Sequence, residues 1–373
     1  MFLALFMPVI RLLAATSLDV GGINFWRVHG ISTSLDGHPD SRCKVTGKSM
    51  KFSRRKFLHA AAGAAALPAF SRFALAQAYP MRPVHLIVGF PAGGVSDIIA
   101  RLTANWLSER LGQPFVVENR PGAGANVATE IVARGSPDGY TLLQAQGSNG
   151  WNATLYDNLN FVFVRDIAPV ASVARTPAVL EVNPAVPVKT VVEFIDYAKT
   201  NPAIINLAAV GQGSAPQLYG ELFKMMTGIN LPQVQYRNSG PYTDLVAGRV
   251  QAIFDPIASS MGYIKAGQLR PLGVTTATRI ETLPDVPPIG DSVPGYEASG
   301  WQGLGAPANT PPEIIALLNK QIAAALADPA FKARLFDLGM QPFTTTPAEF
   351  GKFIAEQTEK WARVIRTADL KAE

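Results

Sequence analysis

Residues 83–101 read PVHLIVGFPAGGVSDIIAR. The apolar run over residues 84–90, interrupted only by His85, is the pattern of a short strand. Pro91 and the pair Gly93–Gly94 then break the chain, and a helix is predicted from Ser96 or Asp97 through residue 112. Its apolar positions are Ile98, Leu102, Trp106 and Leu107. Glycines in such a loop let backbone come close to a ligand, and the free N–H groups of the helix start favour an anion. A nucleotide phosphate does not fit: no lysine follows Gly94, and the spacing G-x-G-x-x-G is absent. Asp97 would itself repel a phosphate. It suits either a helix cap or a hydrogen bond to an amine or hydroxyl of the ligand.

The same alternation continues on both sides of the cleft that this loop implies. Strands are predicted over residues 114–119 and 140–146, with a helix over 126–136 stopped by Gly135. This β-α-β-α-β order implies a parallel sheet with helices on both faces. Near Arg175-Thr176-Pro177 the chain enters an apparent crossing segment, PAVLEVNPAVP. A second set follows, with helices at 190–202, 215–228 and 241–250 and strands at 205–211, 234–237 and 251–255. After LRPLGVTT a Pro/Gly-rich passage runs over residues 283–305, and two helices, 311–328 and 347–368, close the chain. The fold class read from this is α/β, with two lobes of mostly parallel sheet and flanking helices.

The chain has 373 residues, 48% apolar and 16% charged, enough for two ordinary domains with large cores. Its net charge of +5 is unevenly placed. Residues 1–76 hold ten Lys and Arg against three Asp and Glu, while the remainder holds 23 against 25. A nucleic-acid partner is therefore not expected, because phosphate binding needs a concentrated basic surface. From Met50 the leader shows paired arginines (Arg54, Arg55), an Ala-rich run and the exit Ala74-Leu75-Ala76, the grammar of a secretory signal over residues 50–76. SRRKFL resembles the twin-arginine export motif, and cleavage is expected after Ala76, with a site after Ala78 as the alternative. Residues 1–49 read as a start-site artefact or a disordered leader. The single cysteine, Cys43, and three of the four histidines (His29, His38, His59) precede that cleavage point. Only His85 remains, in strand context, so no zinc site and no histidine-based triad is expected, and no cofactor or metal.

Further strand-to-helix junctions repeat the chemistry of the first: QAQGSNGWNAT, VGQGSAPQ and YRNSGPYTD, all rich in Gly, Ser and Asn. Ligands of open α/β sheets collect at such carboxyl ends of strands. The cluster RPGAGANVA offers another helix start rather than a dinucleotide fingerprint. Phe90 and Tyr236 would supply apolar walls. Ser214 in GQGSAP lacks the last glycine of a nucleophile elbow, and Asp255 in IFDP is a lone carboxylate, so no catalytic residue is assigned.

Across residues 79–373 the chain resembles the Bug-type periplasmic solute-binding receptors of tripartite tricarboxylate transporters. The resemblance rests on PVHLIVGFPAGGVSDIIAR, VVENRPGAGANVATEIVARGSPDGYTLL, QAIFDPIASSMGYIKAGQLRPLGVTTATR, LPDVPPIGDSVPGYEASGWQGLGAPANTPPEII and TPAEFGKFIAEQTEKWARVI. It implies a two-lobed type II "Venus flytrap", lobe 1 being residues 79–176 with 299–373 and lobe 2 residues 177–298. The implied protein is a monomeric, periplasmic, non-enzymatic receptor that delivers a small mono-, di- or tricarboxylate to a membrane permease. The ligand residues so implied are Phe90, Ala92, Gly93, Gly94, Ser96 and Asp97 of the first loop and Gln146, Ser148 and Asn149 of the second. Gly213, Ser214 and Ala215, with Tyr236 and Asp255, would answer from the other lobe. Three stretches depart from the family pattern. SNGWN (residues 148–152) stands for Ser-His-Ala-x-Asn, GSAPQL lacks a histidine after the serine, and YRNSGPYTDL is a residue shorter, with Asn238 for a glycine. The alternatives are an exported α/β hydrolase using Ser214 and Asp255, and a receptor without a permease that serves in sensing.

Overall fold

The computed structural model describes residues 79–372 apart from 203, 212 and 237–239. The leader, its arginine pair and Asn238 lie outside the described residues. In chain order the elements are β1 (Val84–Val88), α1 (Val95–Leu111), β2 (Phe115–Asn119), α2 (Asn126–Ala133), β3 (Thr141–Gln146), α3 (Gly147–Leu155), α4 (Phe163–Asp166) and β4 (Ile167–Val182). Then come α5 (Val191–Thr200), β5 (Leu207–Val210), α6 (Ala215–Thr227), β6 (Gln233–Tyr236), α7 (Pro241–Val246), β7 (Ala252–Pro256), α8 (Ile257–Lys265) and β8 (Arg270–Val274). The last are β9 (Ser299–Pro307), α9 (Pro312–Ala327), α10 (Pro329–Asp337), β10 (Gln341–Pro342) and α11 (Pro347–Thr367).

The strands form one two-lobed sheet in the order β2-β1-β3-β9-β4-β7-β5-β6. Its two ends are parallel, as expected. Its middle is antiparallel, which corrects the expectation of mostly parallel pairing. The reason is β4. This strand pairs with β9 as far as Pro177 and with β7 from Ala178 onward, so one continuous strand runs through both halves. The strand β9, SGWQGLGAP, is hidden in the Pro/Gly-rich passage, since glycine weakens a strand signal. Its glycines serve packing: a Cβ on Gly303 would sit 2.4 Å from the Phe350 ring and 2.6 Å from the Ala171 carbonyl oxygen.

Helix α1 turns a different face inward from the expected one. Ile99, Ala100, Thr103, Ala104 and Leu107 are buried, while Ile98 is 38% exposed. Small side chains at three of those positions let the helix sit close on the sheet. Trp106 instead reaches sideways, its indole N–H donating to the Gln321 carbonyl at 2.9 Å. Helix α11 is capped by Thr346 and Glu349 in a reciprocal box. It places Phe350 and Ile354 in a core with Leu143 and Trp301, and Trp361, Val364 and Ile365 in one with Phe194, Phe223 and Phe254. Both halves are therefore joined by a strand and by a helix.

Candidate functional site

A cavity of about 450 Å³ lies at the carboxyl ends of the strands, lined by Phe90, Val95, Gln146, Gly147, Ser148, Trp151 and Thr176 from one side of the β4 crossing and by Ala178, Gly213, Ser214, Ala215, Tyr219, Ala258 and Ser259 from the other. Four strands lead into helices that begin on it, β3 into α3 and β7 into α8 directly, β1 into α1 and β5 into α6 through short loops. The first N–H groups of a helix have no carbonyl within the helix, and the aligned peptide dipoles add about half a positive charge there. Among the described residues, no charged side chain lines the cavity. The site can therefore hold an anion through neutral, fixed donors.

The amides at two of these starts, α3 and α6, can be followed individually. At α3 the Gln146 side chain accepts from the Asn149 N–H while Asn149 Oδ1 accepts the Gln146 N–H at 2.7 Å, which leaves Gly147 and Ser148 on the cavity. At α6 the Gly213 N–H donates to Gln217 Oε1 at 2.7 Å, Ser214 N–H to the Gly211 carbonyl at 3.3 Å, and Pro216 has no N–H. Ala215 supplies the amide that remains. Ser214 Oγ accepts weakly from the Gln217 N–H at 3.4 Å and acts as the helix cap.

Of the predicted residues, the structure brings Phe90, Gln146, Ser148, Gly213, Ser214 and Ala215 together on the cavity. The others are placed elsewhere, each for a physical reason. Ala92, Gly93 and Gly94 are exposed and do not line the cavity. Gly93 has φ +81, so its backbone angle rather than a close approach demands glycine. Ser96 and Asp97 are buried behind the wall. Ser96 donates to Gln146 Oε1. Asp97 accepts from the Gly93 N–H (2.9 Å), Asn119 Nδ2 (2.9 Å) and the Arg101 guanidinium (3.0 Å), and the Arg101 bond holds its pKa down at about 2. Its acceptor sites are thus spent on shaping the loop. Asn149 is buried, donating to Thr129 Oγ1 at 2.8 Å. Tyr236 donates to Asp244 at 2.9 Å and does not line the cavity. Asp255 sits one layer back, accepting from the Tyr242 hydroxyl, and burial raises its pKa to about 6. His85 pairs with Glu118 at 2.5 Å on the neighbouring strand.

Several lining residues were not legible. Trp151 and Asn152 fall in the divergent SNGWN stretch, Gly300 and Gln302 on the hidden strand β9, and Ala258 and Ser259 at the unrecognised start of α8. The strand-then-helix junction IFDPIASS carried the signal for the last pair. Gly213 also meets the opposite wall: a Cβ there would lie 2.7 Å from Leu155 Cδ1.

The sequence profile described as "Tripartite tricarboxylate transporter family receptor" matches residues 99–370. The chain belongs to that family. This receptor is 35% identical over 300 residues to Protein BugT of Bordetella pertussis, covering 79% of this chain and 92% of that protein. Among solved structures it resembles R. palustris Rpa4515 with adipate (36% identity, TM-score 0.66, covering 79% of this chain and all of the other). It also resembles MatC (Rpa3494) from Rhodopseudomonas palustris with bound malate (30% identity, TM-score 0.63, covering 77% and all). The receptor's fold is accordingly that of the two-lobed binding proteins, as the resemblance implied.

Proposed function

We propose that this receptor captures a small organic acid in the cavity and delivers it to the membrane permease of a tripartite tricarboxylate transporter. The observation that carries the reading is the convergence of four helix starts on one cavity that has no charged side chain among the described residues. Such a site prefers an anion to a neutral solute or a cation. The acids bound by the adipate and malate relatives support a carboxylate as that anion. The protein works as a periplasmic monomer and not as an enzyme, with Ser214 engaged in capping α6. Its lobes are residues 79–176 with 299–373, and 177–298, a division supported by the change of partners along β4 at Pro177 and Ala178. Export uses the signal at residues 50–76 by the twin-arginine route, supported by Arg54 and Arg55.

A thermal-shift screen of organic acids tests the reading. An acid at a hundred times its Kd stabilises the folded state by about 2.7 kcal/mol, an easily read rise in Tm. If no carboxylate raises Tm while an ester or amide is turned over, the receptor reading is wrong. Mass spectrometry of the exported protein gives the cleavage site and any acid that copurifies.

A further inference from the structure

We infer that this receptor takes up a proton together with its acid, the proton resting on a carboxyl cluster of Asp255 and Glu181 behind the cavity wall. The inference rests on the organic-acid reading and adds a second ligand to it.

Proton counting carries the first part. The register of β4 and β7 sets Val179 opposite Asp255 and Glu181 opposite Ile253, so both carboxyls stand on one face of the sheet. Tyr242 of α7 and Ser260 of α8 lie between them. The Tyr242 hydroxyl donates to Asp255 Oδ2, Ser260 Oγ donates to Glu181 Oε1 at 2.7 Å, and the two hydroxyl oxygens are 3.2 Å apart. This row has three contacts between oxygens and only two hydroxyl protons to fill them. A proton on either carboxyl completes it: the acid donates to its hydroxyl, which passes its own proton along the row.

Charge carries the second part. Among the described residues no Lys, Arg or His acts on either carboxyl. Arg270 of β8 donates to the Val186 and Val188 carbonyls, Asp244 of α7 is turned to Tyr236 and Arg249, and Tyr263 of α8 lays its ring on that of Tyr242. Glu181 is fully buried with Oε2 unpartnered, so an ionised pair would be uncompensated. Burial accordingly raises the pKa of Asp255 to about 6 and that of Glu181 to about 8.

The cluster reaches the cavity through Ser259, which lines the wall and hydrogen-bonds to Asp255. An anion held in the cavity is a like charge for Asp255 and favours its protonated form. By linkage the protonated carboxyl favours the anion to the same degree.

The test is titration calorimetry of the purified chain, unfolded and refolded to strip any resident acid, with succinate, malate and adipate. Each is measured from about pH 6 to about pH 8, in buffers of different ionisation heat and in sodium or choline chloride. The acid that binds is expected to lose about fivefold in affinity as pH rises over that range, the size given by a proton held about tenfold more tightly in the complex. About half a proton per acid should be taken up near pH 6.5, read from the difference between buffers. Asp255→Asn, which has the shape of the protonated carboxyl, should keep one affinity throughout and take up no proton, and it corrects for titration of the acids themselves. The buffer comparison on the parent chain decides even where that substitution unfolds the protein. Equal affinity at both ends of the range, with heats independent of buffer, overturns the proton and leaves the acid receptor standing. Binding that follows sodium instead of pH makes the cluster a metal-cation site and overturns the proton as well. Failure of all three acids at every pH, in a refolded and cooperatively melting protein, overturns both readings.

Discussion

The Ser96 hydroxyl donates to Gln146 Oε1, tying the first turn of α1 to the residue that caps α3. Two helix starts that face one cavity are thereby fixed relative to each other by a partly buried bond. Gln146 Nε2 in turn donates to Ser148 Oγ at 3.0 Å, so the tie extends to a residue on the cavity wall.

Ser96→Ala should weaken acid binding about three- to tenfold, because Gln146 Oε1 loses its link to α1 and the α3 amides lose their register with that helix. The cost to folding is expected at about 1 kcal/mol, the net worth of one hydrogen bond, since Gln146 Oε1 keeps the Asn149 N–H. Titration calorimetry beside urea unfolding separates the two effects. Unaltered affinity would mean that the tie does not position the seat.

Asp97→Asn should act on stability far more than on affinity, since Asp97 faces Gly93, Asn119 and Arg101. Its folded-state pKa lies below the ordinary value, at about 2. The stabilisation is therefore complete above about pH 4 and is lost as pH falls through about 2, amounting to about 2 kcal/mol at neutral pH. Urea unfolding of both proteins at several pH values should show the gap closing in acid. A large fall in affinity with unchanged stability would place Asp97 on the ligand instead.

Glu181 gives the opposite pH dependence. It is fully buried on β4, with Oε1 accepting from Ser260 at 2.7 Å and Oε2 without a partner among the described residues. Burial raises its pKa to about 8 and that of nearby Asp255 to about 6. Groups raised in the folded state hold protons that the unfolded chain has already released. Stability should thus decline as pH rises from about 4 to about 8. Glu181→Gln should flatten that slope and exceed the parent near pH 8 by a margin on the order of 1–3 kcal/mol. Parallel slopes for the two proteins would refute the assignment.

The glycines divide sharply. Gly94 has φ −75 and meets only the Pro91 carbonyl oxygen, at 3.3 Å, so Gly94→Ala should change binding less than threefold. Gly213 has φ +70 and faces Leu155 across the cavity, so Gly213→Ala should cost about 1–2 kcal/mol of stability and weaken binding clearly. The pair measured together by calorimetry decides which loop presses on the guest.

The parallel strands and the helices that follow them were readable because short apolar runs such as Leu86–Val88 of β1 and Leu207–Val210 of β5 end at Gly and pass into helical patterns. The cavity's first-lobe loops and GQGSA followed from that. What sequence could not show was direction. Asp97 and Asn149 are polar residues in ligand loops, yet both turn inward to fix backbone, and only packing decides this. Strand β9 was obscured because the glycines that let it pass under Phe350 also erase its strand signal. Helix α1 was found while its inward face was misplaced, since Ala100, Thr103 and Ala104 bury by being small rather than strongly apolar.

Helix α11 has one end in each core, and β4 passes through both. The halves are consequently not interchangeable modules. A fragment of residues 177–298 would lack Trp361, Val364 and Ile365 and carry an open apolar floor, while the complementary fragment would keep a helix with half of its buried stripe in water. Grafting the second half of a relative with another ligand preference onto this chain would have to carry the last two turns of α11 with it.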